Sequence, residues 1–278
     1  MSASLTPETV TIKPRHPAFD LRAALATNWH GGDPFKTAFF NALSLTFPVG
    51  EKYFIDCVRA FQKQIDDPKL SQEVRGFIGQ EAIHRREHAK YNEILCGARG
   101  YAGARFEQGL QDRIDERNAY SAHLRLMETV TFEHLTALLA HGLLTDERWL
   151  DGADPTLKSM WHWHAIEEAE HKAVTFDVYR AVGGNMDWLK QALPLITRQM
   201  FKDIMSAMWM MLKADGQQLN PVIWMRGLNW LVGRQGVLRN LSPLWRDFKR
   251  ADFHPWDHDN RELISRWQAT AEPELLAA

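Results

Sequence analysis

Two Glu-x-x-His motifs constrain the fold of this chain more strongly than any other feature of its sequence. They are Glu81-x-x-His84 and Glu168-x-x-His171, and the second lies in the segment WHWHAIEEAEHKAVTFDVY at 161–179. Side chains three residues apart on an α-helix share one face, so each pair can hold one ion. Apolar residues flank both motifs, which indicates that these titratable groups lie inside the protein, where uncompensated charge is unfavourable.

The apolar periodicity predicts an all-α protein. Steps of three and four residues give an apolar stripe on each of four predicted helices. These helices cover about 37–66, Ser71–Cys96, 112–145 and Pro155–Ala181. The Gly-rich stretch 97–111 is predicted to break the helical pattern, and if extended it is long enough, at about 50 Å, to cross between the second helix and the third.

Local signals define the ends of these helices. Pro48 lies inside the first helix and must begin a helix or kink one. Ser71 is the predicted N-cap of the second helix, and Gly97 is predicted to end it.

Each apolar stripe carries a glutamate near its middle, and no stripe supplies a lysine or arginine to neutralise it. Four carboxylates in one core repel each other, so we expect a pair of metal ions that accept carboxylate oxygen and imidazole nitrogen together. One glutamate from each of two helices and Glu-x-x-His from each of the other two is the di-iron carboxylate arrangement. The predicted ligands are Glu51, Glu81, His84, Glu133, Glu168 and His171.

Glu133 has a rival, because Glu128 lies on a neighbouring stripe of the same predicted helix. The other two glutamates of the last helix are not predicted to be ligands. Glu167 and Glu170 are expected to face solvent or to pair with Lys172 and Arg180.

The order and spacing of the motifs resemble those of ferritin-like di-iron proteins over about 37–181. Within that group, QEAIHRREHAKYN, FEHLTA and WHWHAIEEAEHKAVTFDVY resemble a bacterial family described as predicted metal-dependent hydrolases, and the similarity extends through FHPW near the C-terminus. The resemblance implies a ferritin-like four-helix bundle with additional C-terminal helices. It also implies two metal ions, with iron favoured and manganese or a mixed Mn/Fe pair compatible with the same ligands.

A second resemblance concerns a seventh ligand. The p-aminobenzoate N-oxygenase family has a last motif His-x-x-x-Glu-x-x-His, which His164, Glu168 and His171 match position by position. If the second and fourth helices are antiparallel, His88 and His164 lie on the same side of the metals, so either can be the additional ligand. The other can serve as a hydrogen-bonding neighbour.

The remaining sequence predicts three regions: an irregular arm at 1–34, the bundle at 35–184 and a helical extension at 185–278.

The net charge of −2 implies no nucleic-acid partner. Two cysteines, the absence of an N-terminal apolar run and the absence of a transmembrane segment are typical of a cytoplasmic protein. A homodimer is compatible with the Met- and Trp-rich helices of the extension.

Three functions stay open from the sequence. The first is a di-iron oxidase or oxygenase that uses O₂ and an electron donor to oxidise a small, apolar or aromatic substrate. The second is a metal-dependent hydrolase in which the metal pair activates water. The third is a non-catalytic protein that binds metal or O₂. His134 and His162 are expected to be ordinary core or surface histidines, and His254 to belong to a structural turn.

Overall fold

The computed structural model describes residues 4–271 and 273–276, and it is all-α, as predicted. One isolated antiparallel bridge joins His30 and Ala153. The helices are α1 (Arg22–Leu25), α2 (Pro34–Arg59), α3 (Pro68–Arg99), α4 (Gly103–Arg117), α5 (Ala122–Thr145), α6 (Pro155–His171), α7 (Val174–Ala181), α8 (Met186–Ala214), α9 (Pro221–Val232), α10 (Ser242–Asp247), α11 (Arg261–Thr270) and α12 (Pro273–Leu276).

Four long segments close a bundle. Helix α2 packs on α3 and α5, and α6 and α7 together pack on α5 and α3. Helix α8 covers α2 and α5, while α9 lies on α2 and α11 on α6. No described helix is both long enough and apolar enough to cross a membrane.

An Asp-Pro pair begins three of the bundle helices. Asp33, Asp67 and Asp154 are the N-caps of α2, α3 and α6, and each carboxylate accepts a hydrogen bond from the first-turn backbone. Proline suits the next position because its missing N–H would have no partner there. Ser71 was therefore wrong as the N-cap of the second helix, and Gly97 was wrong as its end, since α3 continues to Arg99 and stops at the left-handed Gly100 (φ 67°).

The crossover between α3 and α5 is helical, so the predicted break in the helical pattern at 97–111 and the predicted start of the third helix at 112 were both wrong. Helix α4 packs on α2, with Gly103 against Leu45, and Arg117 at the end of α4 pairs with Glu128 of α5. Ser121 begins α5 by accepting a hydrogen bond from the Leu124 N–H. The sequence around this break contains no glycine or proline to indicate it.

Pro48 lies inside α2, and the helix passes through it. A proline at this position has no N–H to donate to the Ser44 carbonyl one turn earlier. Asn92 of α3 replaces that donor, with its Nδ2 3.0 Å from the Ser44 carbonyl oxygen. The Ser44 hydroxyl in turn lies 2.9 Å from Nδ1 of His88, so the same exchange positions a histidine of the predicted site.

The fourth helix breaks at Lys172 and Ala173, directly after His171, although one continuous helix was predicted. Lys172 turns away from the bundle and donates to Asn260 Oδ1 and to the His258 carbonyl. Its ammonium also lies over the Trp256 ring. The interruption therefore fixes the C-terminal loop against the end of α6. His254 begins a 3₁₀ turn in this loop, where the sequence predicted a structural turn.

The N-terminal arm lies in a groove that two glycines leave open on α3. A Cβ at Gly76 would lie 2.5 Å from the Ile12 carbonyl oxygen, and a Cβ at Gly79 would lie 2.4 Å from Pro14 Cγ. Both distances are too short for an unshifted structure. The glycines therefore set the depth at which Arg15, the next residue of the arm, enters the bundle.

We expect Gly76→Ala to displace the arm and to lower the free energy of unfolding by about 1–3 kcal/mol, the usual cost of overpacking. Gly97→Ala is the matched control on the same helix, because a Cβ there meets no atom within 4 Å. That variant should leave stability unchanged or raise it by about 0.5–1 kcal/mol. Urea unfolding of both variants provides the measurement, and equal stabilities would contradict this packing.

Candidate metal centre

The structure brings the six predicted ligands of the bundle together in its core. Glu51 comes from α2, Glu81 and His84 from α3, Glu133 from α5, and Glu168 and His171 from α6. All six residues are at most 4% exposed. Ligand atoms of Glu51, Glu81 and His84 lie within 4.8 Å of one another, and so do those of Glu81, Glu168 and His171.

Buried polar atoms without partners concentrate at this cluster. Such atoms are rare in native cores, because each costs about 1–3 kcal/mol. The unpartnered atoms here are both oxygens of Glu51, Glu81 and Glu133, Oε2 of Glu168, Nδ1 of His84 and Nε2 of His171. Carboxylate oxygens and imidazole nitrogens that face one another without partners are a donor set that suits metal ions. The residues present therefore fit the predicted cofactor.

Glu81 and Glu168 lie between the two histidines. Oε1 of Glu81 is 3.6 Å from His84 Nδ1 and 3.2 Å from His171 Nε2. Oε1 of Glu168 is 3.7 Å from His84 Nδ1 and 3.6 Å from His171 Nε2. Glu133 lies on the His171 side, with its Oε2 3.7 Å from His171 Nε2. The two central carboxylates thus face both imidazoles at once.

Without metal, bound protons compensate the negative charge of the clustered carboxylates. Burial and then the Glu81 carboxylate raise the pKa of Glu51 well above its ordinary value, and burial followed by Glu81 and Glu168 does the same for the pKa of Glu133. Burial alone would lower the pKa of His84, but the hydrogen bond to Glu167 and the nearby Glu81 carboxylate raise it to about 10.

Glu168 shifts the other way. Burial opposes its charge, yet the His171 imidazolium overrides burial and lowers the pKa of Glu168 to about 2. The pKa of His171 is raised in turn, because the charges of Glu168 and Glu81 outweigh burial. Protons on imidazoles and carboxyls thus supply positive charge that metal ions would otherwise supply.

His164 and His88 occupy different places around the cluster. His164 Nε2 lies 3.5 Å from Glu168 Oε1, and its ring stacks on Phe47 at a centroid distance of 4.9 Å. His88 lies behind it, with Nε2 3.2 Å from His164 Nδ1 and Nδ1 near the Ser44 hydroxyl. Burial lowers the pKa of both histidines, so both imidazoles are neutral.

Glu133 and Glu128, the two candidate glutamates of α5, differ in their partners. Glu128 accepts a hydrogen bond from the Tyr53 hydroxyl at 2.7 Å and pairs with Arg117 at 3.2 Å. Glu133 has neither kind of partner, and its carboxylate faces Glu81, Glu168 and His171. Of the two stripes considered, the one with Glu133 faces the cluster.

The residue before each motif glutamate supports the histidine of the other motif. Glu167 accepts a hydrogen bond from His84 Nε2 at 3.0 Å, and Gln80 Oε1 accepts one from His171 Nδ1 at 3.0 Å. Since a carboxylate and an amide oxygen only accept, these bonds fix the outer nitrogens as donors. The remaining nitrogen of each ring then faces the central carboxylates.

Arg15 of the arm connects both of these supports, and the sequence analysis missed it. Its guanidinium pairs with Glu167 at 3.0 Å and with both oxygens of Glu170 at 2.6 and 2.8 Å. Glu170 also accepts a hydrogen bond from Gln80 at 2.8 Å. The expectation that Glu167 and Glu170 face solvent or pair with Lys172 and Arg180 was wrong, because both are fully buried against Arg15.

Two cavities approach the cluster. One has a volume of about 90 Å³, lies among α2, α4, α5 and α8, and has Glu51, Phe47 and Phe54 in its wall. A smaller one of about 30 Å³ is lined almost wholly by apolar side chains and reaches His164 and Glu168. Phe47 lines both cavities. The cluster is thus buried, yet accessible from two apolar spaces.

The fold and the site together define a helical-bundle protein with a buried Glu/His cluster suited to metal ions. Comparison with known proteins gives the family. The chain belongs to the family described as predicted metal-dependent hydrolase, whose family model matches residues 13–259. No curated protein and no solved structure matches the chain. The match confirms the resemblance to that family; it leaves the ferritin-like relationship a prediction.

We expect Glu133→Ala to lower the amount of metal that the purified protein retains, because it removes one of the unpartnered carboxylates. Glu128→Ala is the matched control: it removes a buried glutamate of the same helix that already has its own partners. Elemental analysis of both variants gives the measurement. Equal metal content in the two variants would show that Glu133 is no ligand.

We expect the metal-free protein to lose stability as pH rises from about 6.5 towards 10. Native His84 keeps a proton up to a pKa of about 10, whereas the unfolded chain releases it near 6.5. The native state then binds more protons, so the free energy of unfolding falls with pH, by about 1 kcal/mol per pH unit for each such histidine. The raised pKa values of Glu51 and Glu133 also make the free energy of unfolding fall with rising pH, above the ordinary glutamate pKa of 4.5.

Metal loading should abolish most of this slope, since a bound ion replaces the protons at neutral pH. Urea unfolding with and without metal, between pH 6.5 and 9, tests both statements. Identical slopes for the loaded and the metal-free protein would contradict them.

Proposed function

We propose that the cluster would hold two metal ions through Glu51, Glu81, His84, Glu133, Glu168 and His171. Glu81 and Glu168 face both histidines, Glu51 lies with Glu81 and His84, and Glu133 lies on the His171 side. His164 is the proposed additional ligand, and His88 orients it through Nδ1. The observation that carries this proposal is the concentration of unpartnered carboxylate and imidazole atoms in one dry core. Iron is the proposed metal, with manganese as the alternative.

We propose that the protein is a metal-dependent hydrolase for a small substrate with an apolar body. Family membership supports hydrolysis. The cavity at Glu51 supports the substrate class, because Phe54, Ile114 and Phe132 line it. When bound, two metal ions would activate water and stabilise negative charge on the reacting oxygen.

The chain's own residues then have separate tasks. The aromatic wall of the cavity binds the apolar body and keeps bulk water away from the cluster. Glu51 lies at both the cavity and the cluster, so a substrate that fills the cavity presents its end to the ligands. Glu167 and Gln80 hold the two imidazoles in place during the reaction.

Oxidation by O₂ is the second candidate function, and the smaller cavity favours it. A space of about 30 Å³ with apolar walls next to His164 and Glu168 accommodates a diatomic molecule better than an ester or amide. In this alternative the larger cavity holds the substrate, and an electron donor is required.

Activity assays separate the two candidates. The metal-free protein is reloaded with zinc, manganese or ferrous iron and tested under nitrogen against aryl esters of increasing acyl length. We expect metal-dependent hydrolysis that Glu81→Ala abolishes. Hydrolysis that is absent with every metal, together with O₂ consumption by the reduced iron form, would overturn the hydrolase in favour of the oxidase.

Gly50→Leu tests the role of the cavity. A Cβ at Gly50 meets only Phe54 Cζ, at 3.8 Å, so the larger side chain narrows the cavity without a backbone clash. We expect kcat/KM to fall about tenfold or more for long acyl chains and little for acetate esters, because a misfit in an apolar pocket costs about 1–3 kcal/mol. Gly97→Leu, at an exposed position of α3, should leave the chain-length profile unchanged.

A further inference from the structure

Helix α9 presents apolar side chains on both of its sides. Its inner side packs on the bundle through Gly227, which touches the Phe35 ring, and through buried Leu231. Its outer side is exposed to solvent and is also apolar. The outer residues, together with the residue before the helix, form what we call the α9 stripe: Leu219, Val222, Met225, Leu228 and Val232.

The exposure of the α9 stripe is high for such side chains. Leu219 is 78% exposed, Met225 65% and Val232 52%. The spacing of the helical members places them on one side of a 3.6-residue helix. Exposed Trp209 at the end of α8 extends the surface, since its ring lies 6.1 Å from that of Trp224 in α9. A contiguous exposed apolar surface of this kind marks an interaction site.

Charge accompanies this surface. Residues 186–250 contain ten lysines and arginines and four aspartates, a net charge of +6 in a chain whose total is −2. Lys213, Arg226, Arg234 and Arg239 are exposed at or next to the α9 stripe. The rest of the chain is correspondingly acidic, so the partner of this region is selected by negative charge as well as by apolar contact.

We propose that the α9 stripe docks on the surface of an anionic lipid bilayer. An amphipathic helix with apolar side chains flanked by arginine and lysine lies in the plane of such an interface. Acidic headgroups complement the positive charge, and the acyl region receives the Leu, Met and Val side chains. The proposal is independent of the reaction proposed for the metal centre.

Other occupants fit less well. A second copy of this chain, docked isologously, would bring two basic surfaces together, and these would repel. Nucleic acid would match the charge, but phosphates give no reason for an exposed row of Leu, Val and Met. Anionic lipid matches both properties of the surface.

The location also suits delivery of an apolar molecule. Arg113 and Asp203 line the mouth of the cavity at Glu51, and the same two residues line an open groove that continues along α8 to Trp209 and Lys213. A molecule dissolved in the bilayer would therefore reach the cavity along one continuous surface.

Vesicle sedimentation of the full chain tests the docking. We expect binding to phosphatidylglycerol-containing vesicles, much weaker binding to pure phosphatidylcholine vesicles, and loss of binding at high salt. Arg226→Glu should weaken binding at least about fivefold, the effect of about 1 kcal/mol per basic residue at the surface. Val232→Glu should weaken it as well, whereas Leu5→Glu, at a side chain with the same 52% exposure on the arm, should not.

Hydrogen exchange on the unmodified protein gives a second readout that no folding defect can affect. Backbone amides of 219–232 should become protected when anionic vesicles are added. Equal binding to both vesicle types, or equal binding of the Val232→Glu and Leu5→Glu proteins, would overturn the proposal. So would a dimer, seen by analytical ultracentrifugation, that Val232→Glu dissociates while no vesicle binding occurs.

Discussion

Repulsion among buried carboxylates is the constraint on which the rest of this structure depends. Four glutamates, one from each of α2, α3, α5 and α6, converge on one buried space in the core. Such a group can persist only if protons or metal ions neutralise it. The helices around it are therefore held by features that do not rely on the centre itself: the Asp-Pro starts, the Asn92 bond at Pro48 and the glycine groove under the arm.

The support of the centre is nearly symmetric in geometry and asymmetric in charge. Each motif histidine is held by the residue that precedes the other motif's glutamate, but one support is the carboxylate of Glu167 and the other is the amide of Gln80. A hydrogen bond to a carboxylate makes the imidazole more basic, and therefore a stronger metal ligand, than a hydrogen bond to an amide does. The two histidines are thus inequivalent before any difference in direct ligands, such as His164, is considered.

The sequence predicted the bundle and its central residues because both depend on spacing. Glu51, Glu81 and Glu168 were found from steps of three and four, and the structure places them together with their histidines. Contacts between distant segments were not predictable in this way. Nothing local to Arg15 shows that it pairs with residues more than 150 positions later. The position before each motif was a usable signal, since Gln80 and Glu167 each directly precede a motif glutamate.

The predicted helix boundaries were wrong where no glycine or proline marks the end of a helix and side-chain hydrogen bonds set it instead. No glycine or proline lies between Thr156 and Ala181 to indicate the break at Lys172, which depends instead on Asn260 and the His258 carbonyl far along the chain. The start of α5 depends on Ser121 alone. The break at Lys172 is thus decided by long-range contacts and the start of α5 by a local cap, and the apolar periodicity runs through both.

The position of Arg15 bears on where an autonomous folding unit can begin. A chain shortened to start at residue 33 would keep the four bundle helices with their caps and every proposed ligand of the centre. It would also keep Glu167 and Glu170, which would then be fully buried without the Arg15 guanidinium that pairs with both. Removing one partner of a buried ion pair costs about 3–5 kcal/mol, a large part of the net stability of an ordinary domain. The smallest independent unit therefore includes the arm, even though the arm contributes almost no regular secondary structure.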